Sequence, residues 1–329
     1  MCPAGEAGYP LHGPAGAARL AASSPPSSGY LAGMRFGLVG TGPWATMTHG
    51  PGLVAAREVD LVGLWGRSRD KVEFLSTRLG VSGYDDYQAL LADVEAVAFA
   101  VPPDVQVELA LVAAQAGKHL LLDKPVALDV EDARALRDAV TAARLASVVF
   151  FTDRFVDTAR AWFDQVGSTN GWRGGWLRWF SSLQQADNPF GASPWRQERG
   201  AVWDTGPHAL STMGTALGPI ASLTAVGGEG DLVTLVLRHQ SGATSTVSLT
   251  QFAPPAAAGF EAAVWGEAGL LHMPPRPEGS LSGPYATAAN ELVAAAVSGE
   301  PHAVDVVFGT HVVELLANAQ AQLDAGYAG

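Results

Sequence analysis

Three short segments of the chain combine residue types that bind nucleotides or move protons. The first, Gly40 to Ala45, has the form G-x-G-x-x-A and lies between an apolar run and a helix-like segment. In such a pattern Gly40 permits a tight turn, Gly42 lets the backbone approach a pyrophosphate, and Ala45 lets helix and strand pack closely. With Pro43 and Trp44 beside them, these residues predict a dinucleotide-binding turn whose helix start holds the phosphates. The alternative is a purely structural glycine-rich turn.

The second segment, Asp123-Lys124-Pro125, follows the apolar run HLLL. Ligands of a doubly wound sheet bind at strand carboxyl ends, so Asp123 and Lys124 are expected to face the cofactor. Only three of the twenty basic residues are lysines, namely Lys71, Lys118 and Lys124. An amine can release a proton and a guanidinium cannot, which favours a catalytic Lys124. A structural salt bridge at a strand end is the alternative.

The third segment places Asp204 four residues before His208, a spacing that brings two side chains to one face of a helical turn. Pro207 suits the first turn of a helix, and a histidine can exchange a proton with a substrate hydroxyl near neutral pH. We therefore predict that Asp204 and His208 are catalytic. A capping Asp beside a core His is the alternative, and no third ligand at a recognisable spacing indicates a metal.

The end of the second predicted strand bears on the choice between NAD and NADP. An acid at this place binds the ribose 2′-hydroxyl, whereas a nearby Arg accommodates a 2′-phosphate. Here Arg67 and Ser68 follow the strand, and no acid occurs before Asp70. The sequence therefore favours NADP over NAD, with Arg67 and Ser68 as phosphate contacts. Ordinary solvated charges at Arg67 and Arg69 are the alternative.

These segments need a scaffold, and the hydrophobic pattern predicts one. Short apolar runs alternate with amphipathic stretches from Met34 onward, which is typical of an α/β Rossmann domain with a doubly wound parallel sheet, over residues 34–153. Several consecutive strands with hairpin-like turns then predict an α+β domain with a large, mostly antiparallel, open-faced sheet, over residues 154–329. Residues 1–33, rich in Gly, Ala, Ser and Pro, are expected to be a disordered tail or an over-long start.

Composition narrows the class of protein. The 329 residues are 48% hydrophobic and 16% charged, which suits a globular chain, and the net charge of -12 disfavours nucleic acid as a partner. The single cysteine, Cys2, cannot form an internal disulfide, and no apolar run reaches the roughly 18 residues of a membrane span. The expected location is the cytoplasm, away from any membrane.

Together, the motifs resemble the glucose–fructose oxidoreductase, inositol dehydrogenase and rhizopine-catabolism family (Gfo/Idh/MocA). The resemblance covers about residues 34 to 325. The matching motifs are Gly40 to Ala45, Gly117-Lys118-His119 through Asp123-Lys124-Pro125, Arg154-Phe155, and Gly200…Asp204…His208.

The resemblance implies an NAD(P)-dependent oxidoreductase that transfers a hydride to or from a carbon bearing a hydroxyl or keto group. It implies that Lys124 and His208 share proton transfer and that Asp204 positions the substrate or tunes the His. It also implies sugar-like or polyol substrates, and a homodimer or homotetramer built through the second sheet.

Some residues depart from the family pattern. Asp123 stands for the usual Glu, Ser211 stands where an acid often follows the His, and Gln106 stands where His is common. Val101-Pro102-Pro103 replaces Thr-Pro-Asn; we still expect Val101 and Pro102 at the cofactor.

Four residues are candidates for substrate contacts, namely Arg154, Trp195, Arg196 and Trp203. The tryptophans of the segment WRGGWLRWF (Trp172, Trp176 and Trp179) are instead interpreted as core or interface. Two other functions remain open: a catalytically silent nucleotide-binding sensor of the same fold, and a dehydrogenase of a non-carbohydrate substrate such as a tetrapyrrole or dihydrodiol. The loop at 181–200 would decide the substrate.

Overall fold

The computed structural model describes residues 33–182, 194–276 and 279–326. Within these ranges the N-terminal half forms a parallel sheet of six strands. The strands are β1 (Met34–Val39), β2 (Val59–Trp65), β3 (Ser82–Tyr84), β4 (Ala96–Phe99), β5 (His119–Asp123) and β6 (Ser147–Phe150). Their spatial order, β3-β2-β1-β4-β5-β6, reverses beside β1, where doubly wound sheets bind their ligands. The predicted Rossmann arrangement is confirmed.

Helices make the crossovers that parallel pairing requires. These crossover helices are a π-helix (Ala45–His49), α1 (Gly50–Ala55), α2 (Arg69–Leu79), α3 (Tyr87–Asp93), α4 (Pro103–Gln115) and α5 (Val130–Ala142), and α6 (Asp157–Gly167) follows β6. Asp86 and Asp129 cap the starts of α3 and α5 by accepting backbone N–H groups. The π-helix, β3 and α3 were not anticipated from the sequence.

Apolar strand residues build the core of this half. Leu38, Val97 and Leu121 are fully buried on three adjacent strands. A parallel sheet is covered on both faces, so its strands are apolar along most of their length. This burial fixes the carboxyl ends of β1, β4 and β5 side by side.

The described residues after Gly167 form a second sheet of six strands. These are β7 (Trp172–Phe180), β8 (Ile220–Gly227), β9 (Val233–His239), β10 (Thr244–Thr250), β11 (Gly259–Gly266) and β12 (Gly269–His272). The order is β12-β11-β7-β10-β9-β8, and the β7–β10 pair is parallel while the other pairs are antiparallel. The prediction of a mostly antiparallel sheet is confirmed.

The two faces of the second sheet differ. Residues such as Leu177, Leu235 and Val247 point to a buried face, which packs against helices. The opposite face carries four large apolar side chains that are exposed: Val226, Val236, Trp265 and Leu270. Strand register places these four on the same side, so the sheet is open-faced as expected.

Besides two short 3₁₀-helices (Thr152–Arg154 and Pro255–Ala257), four further helices complete the described chain. They are α7 (Pro194–Asp204), α8 (Gly206–Leu217), α9 (Ser282–Ser298) and α10 (Val306–Asp324). Helix α9 packs on α1 and β6, whereas α10 packs on both α5 and β8 and so joins the two sheets. No helix in the described ranges combines the length and apolar character needed to cross a membrane. The division at residues 153 and 154 stays a prediction, and residues 1–32 of the expected tail lie outside the described residues.

Candidate active site

The glycine-rich turn after β1 borders the first of two adjoining cavities. Gly40 has a φ of 121°, and its N–H donates to the carbonyl oxygen of Trp65 at 2.9 Å. A side chain at Gly40 would collide with the carbonyl of Ala100. An added Cβ at Gly42 would meet nothing within 4 Å, so the backbone there is open to a ligand. Gly40 therefore permits the tight turn, whereas Gly42 leaves the backbone accessible from the cavity.

This first cavity has a volume of about 290 Å³. It is lined by Gly42, Pro43, Trp44, Ala100, Val101, Pro102, Pro103, Gln106, Asp123, Lys124, Pro125, Trp195 and Arg196. An open glycine backbone at a helix start, beside apolar walls at the switch point of the sheet, fits a nicotinamide dinucleotide. Ala45, also predicted as a cofactor contact, is fully buried and does not line this cavity.

Arg67 and Ser68 lie beyond the lining of this cavity, just after β2. Arg67 is exposed, and Ser68 is the N-cap of α2 without a side-chain capping hydrogen bond. Because the backbone oxygen of Trp65 accepts a hydrogen bond from the N–H of Gly40, the end of β2 borders the glycine-rich turn. The backbone that carries Arg67 and Ser68 therefore follows the strand end that borders the glycine-rich turn.

Lys124 follows directly after β5 and is supported by Gln106 of α4. The fully buried side chain of Gln106 donates to the carbonyl of Asp123 at 2.9 Å and accepts its N–H at 2.8 Å. This two-way bond fixes the peptide that precedes Lys124. The position that departs from the family pattern therefore has a clear role in holding the end of β5.

The ammonium group of Lys124 is bound by Asp204. Its Nζ donates to the backbone oxygen of Asp204 at 2.6 Å and to Oδ1 at 3.2 Å, and Arg196 Nε donates to the same Oδ1 at 3.0 Å. Burial opposes ionisation of Asp204, but the charges of Lys124 and Arg196 prevail and hold its pKa below the ordinary value. The carboxylate is therefore ionised at neutral pH.

The helix pair α7 and α8 brings Asp204 and His208 to the same place. Helix α7 is kinked at Gly200 (φ 65°, ψ -163°) and ends at Asp204, and His208 lies in the first turn of α8 after Pro207. Burial, with the nearby charges of Lys124, Arg276 and Arg196, holds the pKa of His208 well below its ordinary value. The imidazole is therefore neutral at physiological pH.

A second cavity, of about 230 Å³, contains these groups. Its lining is Trp44, His49, Asp123, Lys124, Phe150, Thr152, Trp179, Arg196, Asp204, Thr205, His208, Arg276 and Leu281. The two cavities share Trp44, Asp123, Lys124 and Arg196. Lys124, Asp204 and His208 thus meet directly beside the region that fits the dinucleotide.

The predicted substrate contacts divide into two groups. Arg196 lines both cavities and Trp195 lines the first, with the guanidinium 4.9 Å from the Trp195 ring centroid. Trp203 is almost fully buried, and Arg154 is folded over the ring of Phe163 at 5.0 Å. Neither Trp203 nor Arg154 lines a cavity described here, because packing holds both away from the opening. A substrate contact does not follow from these two positions.

Several lining residues were not anticipated from the sequence. Trp179, interpreted as core or interface, lies on the buried face of β7 with its ring 5.4 Å from that of His208. Arg276 lies over Trp179 at 5.2 Å and is held by Asp153 Oδ1 at 2.7 Å. Trp179 and Arg276 are distant in sequence from Lys124, so only the fold reveals that they lie near the predicted catalytic residues. Among the described residues, no group of three or more His, Cys, Asp or Glu could hold a metal ion.

Comparison with protein families gives two adjoining matches. Residues 34–151 match a model described as an oxidoreductase family with an NAD-binding Rossmann fold. Residues 134–272 match the model of a GFO/IDH/MocA C-terminal domain. The two matches together span both sheets.

Individual relatives match over shorter stretches. An uncharacterised oxidoreductase of Rhizobium meliloti is 38% identical over 108 residues, which are 32% of this chain and 32% of the relative. Levoglucosan dehydrogenase of Pseudarthrobacter phenanthrenivorans is 28% identical over 144 residues, or 41% of this chain and 36% of that protein. The chain thus spans about a third of the length of these curated relatives in the aligned stretches.

Solved structures show a likeness of fold over nearly the whole chain. UDP-N-acetylglucosamine 3-dehydrogenase from Acidithiobacillus ferrooxidans superposes with a TM-score of 0.76 at 18% identity. The superposition covers 89% of this chain and 98% of the other. A sequence identity of 18% shows a shared fold alone.

Proposed function

The chain belongs to the Gfo/Idh/MocA family of oxidoreductases, and from this premise we propose that it transfers a hydride between a nicotinamide dinucleotide and a hydroxyl- or keto-bearing carbon of a sugar, polyol or derivative. The observation that carries the proposal is the position of Lys124. Its ammonium group lies at the junction of the two cavities and is bound by Asp204. The names of the levoglucosan and UDP-N-acetylglucosamine dehydrogenases support a carbohydrate-like substrate.

The first cavity would hold the dinucleotide. Gly42, Pro43 and Trp44 would face the pyrophosphate, with Val101 and Pro102 against the ring system. When bound, the nicotinamide supplies the hydride acceptor or donor. The chain's own task is to orient the substrate carbon and to manage the proton on its oxygen.

Lys124 and His208 would hold that oxygen. An ammonium has three donors, and within the described chain Asp204 takes two of those of Lys124, so one is available for a substrate oxygen. The neutral imidazole of His208 can accept the hydroxyl proton during oxidation. Donors fixed in advance against a developing alkoxide lower the barrier because they need no reorganisation.

Asp204 would keep Lys124 in place. The Asp204 carboxylate is ionised and almost fully buried, so it attracts the Lys124 ammonium strongly. The hydrogen bonds to Asp204 also restrict the rotation of the Lys124 side chain. Arg196 would orient other polar groups of the substrate, because it reaches both cavities. The hydrophobic wall formed by Trp44 and Trp179 fits the apolar face of a sugar ring.

NADP is the proposed physiological cofactor. Arg67 is exposed next to the glycine turn, and Asp70 lies one turn later, in the first turn of α2. This arrangement would give the 2′-phosphate a cation, Arg67. NAD is the alternative, with the Ser68 hydroxyl at the ribose.

The open face of the second sheet is the proposed oligomer interface. Val226, Val236, Trp265 and Leu270 expose apolar surface on one side of a sheet. Large apolar side chains exposed on one sheet face often mark a protein–protein interface. A second copy of the chain, packed through the same face, would give a homodimer or homotetramer.

The test of the proposed function combines binding and hydride transfer. Tryptophan fluorescence would be titrated with NADPH and NADH, and the protein would then be incubated with NADP⁺ or NAD⁺ and a panel of sugars and polyols deuterated at their hydroxyl-bearing carbons. We expect binding, and deuterium recovered in the reduced dinucleotide. Gly42→Glu should abolish binding because the new side chain enters the cavity, whereas Gly167→Glu, also in open space, should not.

Each outcome has a distinct meaning. Deuterium transfer would establish the dehydrogenase and name its substrate. Tight binding without transfer from any compound of the panel would overturn the proposal and favour the nucleotide sensor. Equal loss of binding in both glycine variants would mean that Gly42 does not face the dinucleotide.

A further inference from the structure

The two oxygens of the Asp204 carboxylate have different partners. Oδ1 receives Lys124 and Arg196, whereas Oδ2 accepts a hydrogen bond from Gln251 Nε2 at 3.1 Å. Gln251 follows β10 and is 1% exposed, so little solvent can replace it there. Gln251 therefore binds the carboxylate oxygen of Asp204 that Lys124 and Arg196 do not bind.

A second acid fixes the position of Gln251. Its backbone N–H donates to both carboxylate oxygens of Asp231, at 3.1 and 3.0 Å, and Thr250 Oγ1 donates to Asp231 Oδ1 at 2.6 Å. Asp231 Oδ2 also accepts the N–H of Ala201 at 3.2 Å. Ala201 comes directly after the kink of α7 and begins the turn that ends at Asp204. One carboxylate thus ties the end of β10 to the turn that carries Asp204.

The orientation of the Asp204 carboxylate matters because two cations compete for it. A guanidinium tends to bind both oxygens of a carboxylate at once. If Arg196 bound both oxygens of Asp204, the carboxylate would rotate towards the guanidinium. The hydrogen bond from Lys124 to Oδ1 would then be weakened. With Oδ2 bound to Gln251, Arg196 bonds through Nε to Oδ1 and shares that oxygen with Lys124.

We propose that Gln251 is a positioning residue, which together with Asp231 holds the Asp204 carboxylate in the orientation that presents Lys124 to the substrate oxygen. The inference rests on the proposed function, since it assigns Gln251 a part in that reaction. Gln251 acts through Asp204, and Asp231 acts through Gln251. Neither lines the substrate cavity.

Two variants of Gln251 separate this role from simple packing. Gln251→Leu removes the donor, and we expect kcat to fall about tenfold or more, because a hydrogen bond to a charged group is lost. KM and the dinucleotide Kd should change little, since Gln251 lines neither cavity. The matched control is Gln322→Leu in α10, whose amide bonds the backbone of β8 at Ala225 and Leu223 and should alter only stability.

The nearly isosteric Gln251→Glu gives a signature that packing cannot mimic. When protonated, the introduced carboxyl group donates to Asp204 as the amide does. When ionised, it repels Asp204 and leaves Oδ2 without a donor. We therefore expect the kcat of Gln251→Glu to be near normal at acid pH and to fall as pH rises through the pKa of the introduced carboxyl group. The kcat profiles of wild type and Gln322→Leu should lack this fall.

A readout independent of turnover keeps this inference separate from the proposed function. The Asp204 carboxyl carbon would be followed by ¹³C NMR against pH, with Asp204→Asn giving the assignment. The charged groups facing Asp204 are Lys124 and Arg196, and both remain in every variant. Loss of a hydrogen bond to the ionised form should raise the pKa of Asp204 in Gln251→Leu and leave it unchanged in Gln322→Leu.

The outcomes can be told apart. An unchanged Asp204 pKa in Gln251→Leu, or a kcat equal to wild type in Gln251→Glu at all pH values, would overturn the positioning role even if the enzyme is active. A raised pKa together with the pH-dependent kcat would support it. Absence of turnover in wild type would sink the proposed function, and with it the catalytic meaning of Gln251, however the pKa responds.

Discussion

Replacing Lys124 by Met tests the centre of the proposed chemistry. The change keeps an unbranched side chain and removes the ammonium that lies at the junction of the two cavities, 11% exposed and bonded to Asp204 at 2.6 and 3.2 Å. Loss of a positioned proton donor or alkoxide-stabilising group lowers rates by roughly 10²–10⁴-fold. We expect a fall in kcat of that size.

The same variant should remain folded. Removing one partner of a buried ion pair costs about 3–5 kcal/mol when the other charge is left alone. Asp204 still faces Arg196 and Gln251, so we expect a smaller loss, about 1.5–3 kcal/mol, as for one charged hydrogen bond. Thermal unfolding would check this value.

The assay is the initial rate of nicotinamide absorbance change with the substrate found in the panel, alongside dinucleotide binding by fluorescence. Lys118→Met is the matched control, because Lys118 bonds the carbonyl of Val94 on a different part of the sheet. A kcat for Lys124→Met within about tenfold of wild type, with the fold intact, would refute the assignment of Lys124 as a catalytic group.

Three further predictions address the cofactor, acid stability and assembly. Arg67→Ala should weaken NADPH binding about tenfold, as expected for a lost charged hydrogen bond, and leave NADH binding unchanged; equal effects would contradict the NADP preference. Burial, opposed by Asp123, lowers the pKa of His49, so stability present above the ordinary value of 6.5 is lost as pH falls towards the lowered pKa. His49→Phe should flatten that part of the denaturation profile, and an unchanged slope would exclude His49 as the cause. Trp265→Glu, on the open sheet face, should convert an oligomer to monomers in light scattering; a wild-type monomer would contradict the proposed interface.

Local patterns were enough to predict the fold, which is confirmed, and to select the candidate site residues. The sequence around Gly40 needs only a strand, a tight turn and a helix to be recognised, and all three are close in sequence. The four-residue spacing of Asp204 and His208 predicts one helical turn, whereas in the structure Asp204 ends α7 and His208 lies in the first turn of α8. Lys124 follows from the rule that ligands bind at strand carboxyl ends.

Residues brought in by long-range packing could not be predicted in this way. Gln251 meets Asp204 only because β10 ends beside α7, and no local pattern encodes that contact. Arg276 follows β12, a strand of four residues that lacks a clear alternation. Trp179 was assigned with Trp176, yet the two differ by three positions on β7 and therefore point to opposite faces.

The charges around His208 explain how one site can manage both the proton and the alkoxide. Burial and the cations Lys124, Arg196 and Arg276 all hold the pKa of His208 well below its ordinary value. In the proposed reaction, a neutral ring at physiological pH could take a proton from a hydroxyl, and the same cations would stabilise the oxygen from which it is taken. Because these cations also disfavour the imidazolium, the proposed role of His208 is to pass the proton on, while Lys124 would hold the oxygen.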